Sequence, residues 1–402
     1  MKRVVVTGLG IVSSIGNNQS EVIDSLKFLK SGLSFSQEFK DADMSSHVWG
    51  KVDIDLKNHL NKRTMRFMGK QAMYSYIAMK EAIEDAGLTE NEISNPRTGI
   101  ICGSGDASSA NKIEAYEKMK KSGINRVKPF YVPRTMGSTC SSNLAVEFKI
   151  KGLNYSISSA CASSAHCIGN AYEQILFGRQ DIIFAGGGEE AHWTSAALFD
   201  IMQALSVDFN DQPEKASRPF DKDRDGFVIS EGAGILVLEE LEHAIKRKAK
   251  IYGEIVGYGA TSDGETMFSP TGEGAERCMK MALEQADCNI DYINAHGTST
   301  PVGDVKEIDA IESIFPIETP YISSTKSITG HSIGAAGAQE SIYGLLMMHN
   351  GFICGNKNLD DVDENIKNKK VLKNNININF SSFMTNSFGF GGTNVSLVFK
   401  KI

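Results

Sequence analysis

The chain has 402 residues, 41% hydrophobic and 23% charged, so a sizeable core is affordable and the length suggests two domains or one large doubled one. A formal net charge of -7 argues against general nucleic-acid binding but leaves room for local basic patches. Seven cysteines without CxxC pairs suggest neither a disulfide framework nor a zinc site, and free thiols point to a reducing compartment.

The opening Met1-Lys-Arg runs directly into a buried strand, Arg3 to Thr7. No signal-peptide core and no stretch of transmembrane length is evident, so a cytoplasmic protein without a membrane partner is expected. The next turn, Gly8-Leu-Gly10-Ile-Val-Ser13, resembles a dinucleotide fingerprint, but Ser13 stands where the third glycine belongs. Residues 21–30 read as a helix, 35–61 as an irregular polar excursion, and 64–86 as one long amphipathic helix closed by Gly87. The start of that helix carries Lys62, Arg63, Arg66 and Lys70. A strand at 99–102 follows, and then a second basic cluster of Lys118, Lys120, Lys121, Arg126 and Lys128. Such clusters are either solvated helix ends or docks for an acidic partner.

Residues 154–158 read as a strand leading into a turn of small residues at Cys161, with a helix over 162–177 stopped by Gly178. A thiol at a helix start faces unpaired N–H groups and the positive end of the dipole, which favours thiolate. The alternative is a buried structural cysteine. A strand at 181–185 and the segment Arg218-Pro-Phe-Asp221-Lys-Asp223-Arg-Asp225-Gly226 follow; a calcium loop fails there, because Gly232 stands where its closing Glu belongs. Residues 235–240 read as a strand and 241–250 as a connecting helix.

The second half echoes the first. Residues 252–262 repeat the pattern of 4–13, 272–286 repeat 70–86, and 321–326 with a helix over 334–348 repeat the Cys161 region. Alternating strands and helices predict mainly parallel sheets covered on both faces, in halves spanning 1–250 and 251–402. A doubled fold of that kind places its site at strand ends where the halves meet. His296, at the end of a strand over 290–295, and His331, beside Lys326 and before a small-residue helix, fall there. The glycine-rich run Phe388-Gly-Phe390-Gly391-Gly392 precedes the last strand, 395–399, either as a tight turn or as a loop able to swing.

Ser159-Ala-Cys161-Ala, Arg218 to Val228, His296-Gly-Thr298-Ser-Thr300-Pro301, Ser324-Thr-Lys326, Gly330-His331-Ser-Ile-Gly-Ala-Ala-Gly337 and Asn386 to Asn394 occur in that order. Together they resemble the β-ketoacyl-[acyl carrier protein] synthases of fatty-acid synthesis, within the thiolase-like superfamily, over essentially the whole chain. Residues 161–170, 185–190 and 256–264 look most like the type I synthases. The resemblance implies a duplicated α/β/α/β/α fold, a homodimer and decarboxylative condensation of malonyl carrier protein with an acyl chain on Cys161. It implies His296 and His331 around the sulfur, Lys326 paired with a carboxylate such as Glu307, and Thr298 and Thr300 on the phosphopantetheine arm. Phe390 becomes a gate whose N–H, with that of Cys161, forms the oxyanion hole; Phe199 and Gly391 join the substrate site. No metal or organic cofactor is expected. The partners are acyl- and malonyl-carrier protein, docked on Lys62, Arg63, Arg66, Arg126 and Lys128.

Two residues depart from the family pattern: Ser230 stands where type II relatives show glycine, and Asp106 falls in a stretch that relatives keep small or apolar near the acyl pocket. A stand-alone polyketide ketosynthase has the same chemistry, but the chain carries no fused acyltransferase or carrier region. A chain-length-factor-like subunit typically lacks the nucleophile, and a thiolase needs a second cysteine near the C-terminus, whereas none follows Cys354.

Overall fold

The computed structural model of the chain describes residues 1–366 and 370–402. The first half contains strand β1 (Val4–Ser13), helix α1 (Lys70–Ala86), β2 (Thr98–Gly103), β3 (Asn154–Tyr155), α2 (Ser163–Leu176), β4 (Ile182–Glu189) and β5 (Gly232–Glu240). The second half repeats the series as β6 (Gly253–Ser262), α3 (Glu273–Ala286), β7 (Tyr292–Asn294), β8 (Tyr321–Ser323), α4 (Ala336–Asn350), β9 (Ser382–Gly389) and β10 (Thr393–Lys400). The strand order is β1-β5-β4-β2-β3 in one half and β6-β10-β9-β7-β8 in the other.

The sheets are not mainly parallel, as the sequence had suggested. In each half the first two pairings are antiparallel and the last two parallel. The short link between β9 and β10 forces an antiparallel hairpin there, since a parallel pair needs a long crossover. The halves meet where Val4 to Val6 of β1 pair with Gly253 to Ile255 of β6. Beyond Val6 the two strands part. The freed N–H groups of Leu9 and Ile11 then donate to Asp85 (2.9 Å) and Glu81 (2.8 Å) of α1. Tyr258 of β6 likewise donates to Gln285 of α3, the counterpart of Asp85. Buried N–H groups are thus satisfied along the seam.

Alternation along each strand builds the layers. On β5, Ile235 and Val237 pack against α1, whereas Leu236 and Leu238 face the layer of α2 and α4. On the second sheet, Met384 and Val398 pack against α3, and Phe383, Leu397 and Phe399 face the same central layer. The result is α/β/α/β/α. Every residue of α4 from Ala336 to Met348 is buried, as befits a helix sandwiched between sheets.

The glycines of β1 serve packing and not a phosphate. A Cβ on Gly10 would fall 1.7 Å from the Ala78 carbonyl of α1, and one on Gly259 of β6 would fall 2.0 Å from the Cys278 carbonyl of α3. Both outer helices therefore lie almost in contact with backbone.

Local boundaries also differ from expectation. The helix expected over 64–86 is two pieces, Lys62–Met65 and α1, broken at Gly69. The strand at Asn154 ends at Tyr155, because Ser156 turns its hydroxyl onto the Cys102 carbonyl at 2.6 Å. The excursion at 35–61 contains a small ladder, Ser34–Phe35 with Val48–Trp49, and a short helix, Gln37–Asp41.

Candidate active site

The duplication brings the N-terminal ends of α2 and α4 together in the central layer. Cys161 sits two residues before α2, Lys326 opens the short helix Lys326–Thr329, and His331 lies on the turn between that helix and α4. Both turns hold non-glycine residues in the left-handed region, Ala160 at φ 49° and Ile333 at φ 44°. Such positions cost of order 1–3 kcal/mol each and persist where surrounding structure dictates them. Gly337 keeps the helices close, since a Cβ there would meet Ala165 of α2 at 2.7 Å. His331 is pinned through its backbone, donating to the Val228 carbonyl at 2.7 Å and accepting from Ser230 at 2.9 Å.

His296 follows β7. Its N–H and that of Gly297 both donate to Glu307, each at 2.8 Å, and Asn386 donates to the same carboxylate at 3.1 Å. The strand end, the helix at 303–314 and β9 are thereby locked around one imidazole.

The three side chains converge. Sγ of Cys161 lies 3.0 Å from Nε2 of His331, and the two imidazoles meet edge to face at 5.2 Å. Phe227 packs edge-on against His331 at 5.5 Å, and Phe388 against His296 at 6.0 Å. A cavity of about 440 Å³ opens onto them, lined also by Thr298, Thr300, Phe199 and Phe390. The hydroxyls of Thr298 and Thr300 are 3.2 Å apart. Phe390 is flanked by Phe199 at 6.2 Å and Phe268 at 5.7 Å.

Burial dominates the electrostatics. It pushes the Cys161 thiol up to about 12, against the downward pull of the Lys326 charge and of the Phe390 and Cys161 backbone N–H groups. The expectation of a low thiol pKa is therefore corrected: placement near a helix start is outweighed by desolvation. Burial and the Lys326 charge hold both histidines well below their ordinary range, so both are neutral at pH 7.

The expected pairing of Lys326 with Glu307 is also corrected. Lys326 forms a buried ion pair with Glu340, a residue of α4. Burial raises Glu340 to about 7 despite the lysine charge. Glu307 is instead occupied by backbone donors. Asp106 does not enter the cavity; it is exposed, 3.9 Å from Lys112 and within 3.4 Å of the Ser195 hydroxyl. The buried carboxylate on that side is Glu189, which accepts from Gly105 at 2.7 Å, Gly334 at 2.9 Å and Ser104 at 2.8 Å. Gly391 does not line the cavity; its N–H donates to the Met267 carbonyl at 2.8 Å, while its neighbours Phe390 and Gly392 do line it.

Lys62, Arg63, Arg66, Arg126 and Lys128 are all exposed and lie outside the cavity. Arg134 joins the two basic segments: it donates to the Arg66 carbonyl at 2.9 Å and lies over Phe130 at 4.8 Å.

Glu340, Glu189 and Phe227 escaped sequence reading. Glu340 lies well down α4 and carries no local signal. Phe227 falls inside the Arg218 to Val228 run, which could have drawn attention to it.

The beta-ketoacyl synthase N-terminal domain matches residues 1–244, and the beta-ketoacyl synthase C-terminal domain matches residues 252–360. The chain belongs to the β-ketoacyl synthase family. It is 55% identical to the 3-oxoacyl-[acyl-carrier-protein] synthase 1 of Escherichia coli strain K12, with 100% of both chains covered. It is similar to a crystal structure of a β-ketoacyl synthase from Burkholderia phymatum STM815, with TM-score 0.94, 37% identity and 100% of both chains covered. A ketosynthase solved in complex with a type II polyketide acyl-carrier protein, and bound to the hexaketide, superimposes with TM-score 0.92 at 29% identity, covering 100% of this chain and 99% of that one. These ketosynthases share the five-layered, thiolase-like arrangement, so the fold class expected for a β-ketoacyl synthase holds.

Proposed function

We propose that this β-ketoacyl synthase is a 3-oxoacyl-[acyl-carrier-protein] synthase of type I, which extends a Cys161-bound acyl chain by two carbons taken from malonyl carrier protein. The observation that carries the reading is the convergence of one sulfur and two neutral imidazoles at a single cavity. Full-length identity of 55% to a synthase 1 supports the type.

In the first step Sγ attacks the acyl thioester. The sulfur–carbon bond to Cys161 forms, the bond to the carrier thiol breaks, and the thiol proton passes through His331 to the leaving sulfur. With the resting thiol held neutral by burial, proton removal at 3.0 Å by His331 is what produces the nucleophile. The N–H groups of Cys161 and Phe390 receive the oxyanion. In the second step malonyl loses CO₂, and the electrons of the broken bond move to the enolate oxygen, held by one N–H from each histidine; His331, bare at Nε2 as the base, now carries its proton there as the other neutral tautomer, since no partner among the described residues fixes Nδ1. Neutral rings suit this task, since each keeps an N–H to donate without a competing charge. The enolate carbon then attacks the thioester, and Cys161 leaves as the thiolate, which takes up one proton from solvent to restore the resting thiol. The breaking carboxyl bond supplies the electron pair, so the reading invokes no cofactor.

Thr298 and Thr300 hold the phosphopantetheine arm, Phe199 and Phe390 bound its path, and the basic segments take the acidic carrier protein. A homodimer fits as well: the helix Ser109–Ser122 buries none of its residues and exposes Tyr116 and Met119, as a face awaiting a second copy would. The test is incubation with acyl carrier proteins of graded chain length plus malonyl carrier protein, read by mass. A 3-oxoacyl product longer by two carbons is expected; hydrolysis alone would contradict the reading.

A further inference from the structure

We propose that Cys161, His296 and His331 also form a binding site for a thiophilic divalent cation of the zinc class, whose occupancy blocks the thiol. The three residues each present one ligand atom, and these atoms lie within 4.8 Å of one another. A tetrahedral site with Zn–S of about 2.3 Å and Zn–N of about 2.0–2.1 Å sets its ligand atoms roughly 3.4–3.6 Å apart. The sulfur and Nε2 of His331 already stand 3.0 Å apart. Movements of about an ångström, within reach of side-chain rotation, complete the triangle.

Two further features favour an ion. The donor set is one sulfur and two nitrogens without a carboxylate, which suits zinc, cobalt or cadmium and not magnesium or calcium. Nδ1 of His296 and of His331 is buried with no partner among the described residues, so the outer hydrogen bond that usually orients a metal-binding histidine is missing and each ring is oriented by packing alone. The fourth position faces the cavity, where water can complete the coordination. On binding, the S–H bond breaks, a sulfur–metal bond forms and the proton goes to solvent; nothing is oxidised or reduced. This inference rests on geometry alone, independent of the condensing reaction.

Cobalt(II) is the probe. Chelator-stripped protein titrated with Co²⁺ should take up one ion per chain, with a sulfur-to-cobalt charge-transfer band and tetrahedral ligand-field absorption that Zn²⁺ abolishes. Zn²⁺ should slow capture of Cys161 by iodoacetamide, and chelator should restore it. Cys161→Ala should remove the band. His296→Ala and His331→Ala should weaken retention by more than the ~10–100-fold that loss of an outer partner costs. Cys288→Ala, at the one cysteine that is not buried, should change nothing. Circular dichroism checks that each variant is folded. A band that survives in Cys161→Ala, cobalt bound without any sulfur band, or alkylation indifferent to Zn²⁺ each overturns the proposal. Failure of the metal-free protein to condense, with an intact spectrum once cobalt is added, would count against the proposed reaction and leave the metal site standing.

Discussion

Sγ of Cys161 and Nε2 of His331 are 3.0 Å apart across 170 residues of chain. One belongs to the turn before α2 and the other to the equivalent turn before α4, so internal duplication has brought a nucleophile and its base together from two related turns. The contact also sets how the thiol behaves. Burial holds it neutral, up to about 12, so iodoacetamide capture of the resting protein should keep rising through pH 9 without a plateau near neutrality. Rates followed by mass across pH would show this; a plateau below pH 7 would mean a standing thiolate.

Lys326 and Glu340 form a pair in which neither residue is more than 2% exposed. Breaking one side of a buried pair costs about 3–5 kcal/mol, because the other charge is left without a partner. Lys326→Met should therefore lower unfolding free energy by that order, and Lys326→Met with Glu340→Gln should recover much of it. Urea denaturation of the singles and the double measures the coupling; simple additivity would contradict the pair.

Glu81 carries a pH signature. Burial raises its carboxyl from 4.5 to about 7, against the bonds donated by the Gln19 and Ile11 N–H groups. The folded state therefore holds the proton more tightly than the unfolded one. The favourable contribution is full below about pH 4.5 and is lost as pH rises through about 7. At roughly 1.4 kcal/mol per pKa unit the effect is at most about 3.5 kcal/mol. In Glu81→Gln the fall in stability between these pH values should be shallower than in the parent, as read from urea midpoints; equal slopes would remove this assignment.

The basic segments should matter only to a protein substrate. Lys62→Glu with Arg66→Glu is expected to weaken use of carrier-protein substrates about tenfold or more, while small acyl thioesters react as before. Raising the salt concentration should narrow the difference between parent and variant. Equal loss on both substrate types would place these residues outside docking.

Much of this was legible in the chain and some was not, for physical reasons. Cys161, His296 and His331 stand on turns of small residues that follow strands, and local pattern marks such places. The repeat was visible because Gly8 and Gly10 recur as Gly257 and Gly259, each dictated by the same helix contact. The mixed pairing of the sheets was not visible, because strand order is set by tertiary packing. Local sequence also hid how deeply the thiol is buried, which reversed its expected ionisation. It could not tell Glu307 from Glu340 as the partner of Lys326, since both are carboxylates on helices and only the fold chooses between them.

The most direct measurement is CO₂ release from malonyl carrier protein by Cys161→Ala, alone and combined with His296→Ala. If the two imidazoles hold the enolate while the sulfur only carries the acyl chain, the single variant releases CO₂ without forming a 3-oxoacyl product, and the double variant releases less by about a hundredfold or more (the lower end of what one oxyanion donor contributes). Release that is unchanged when His296 is also removed would contradict the account.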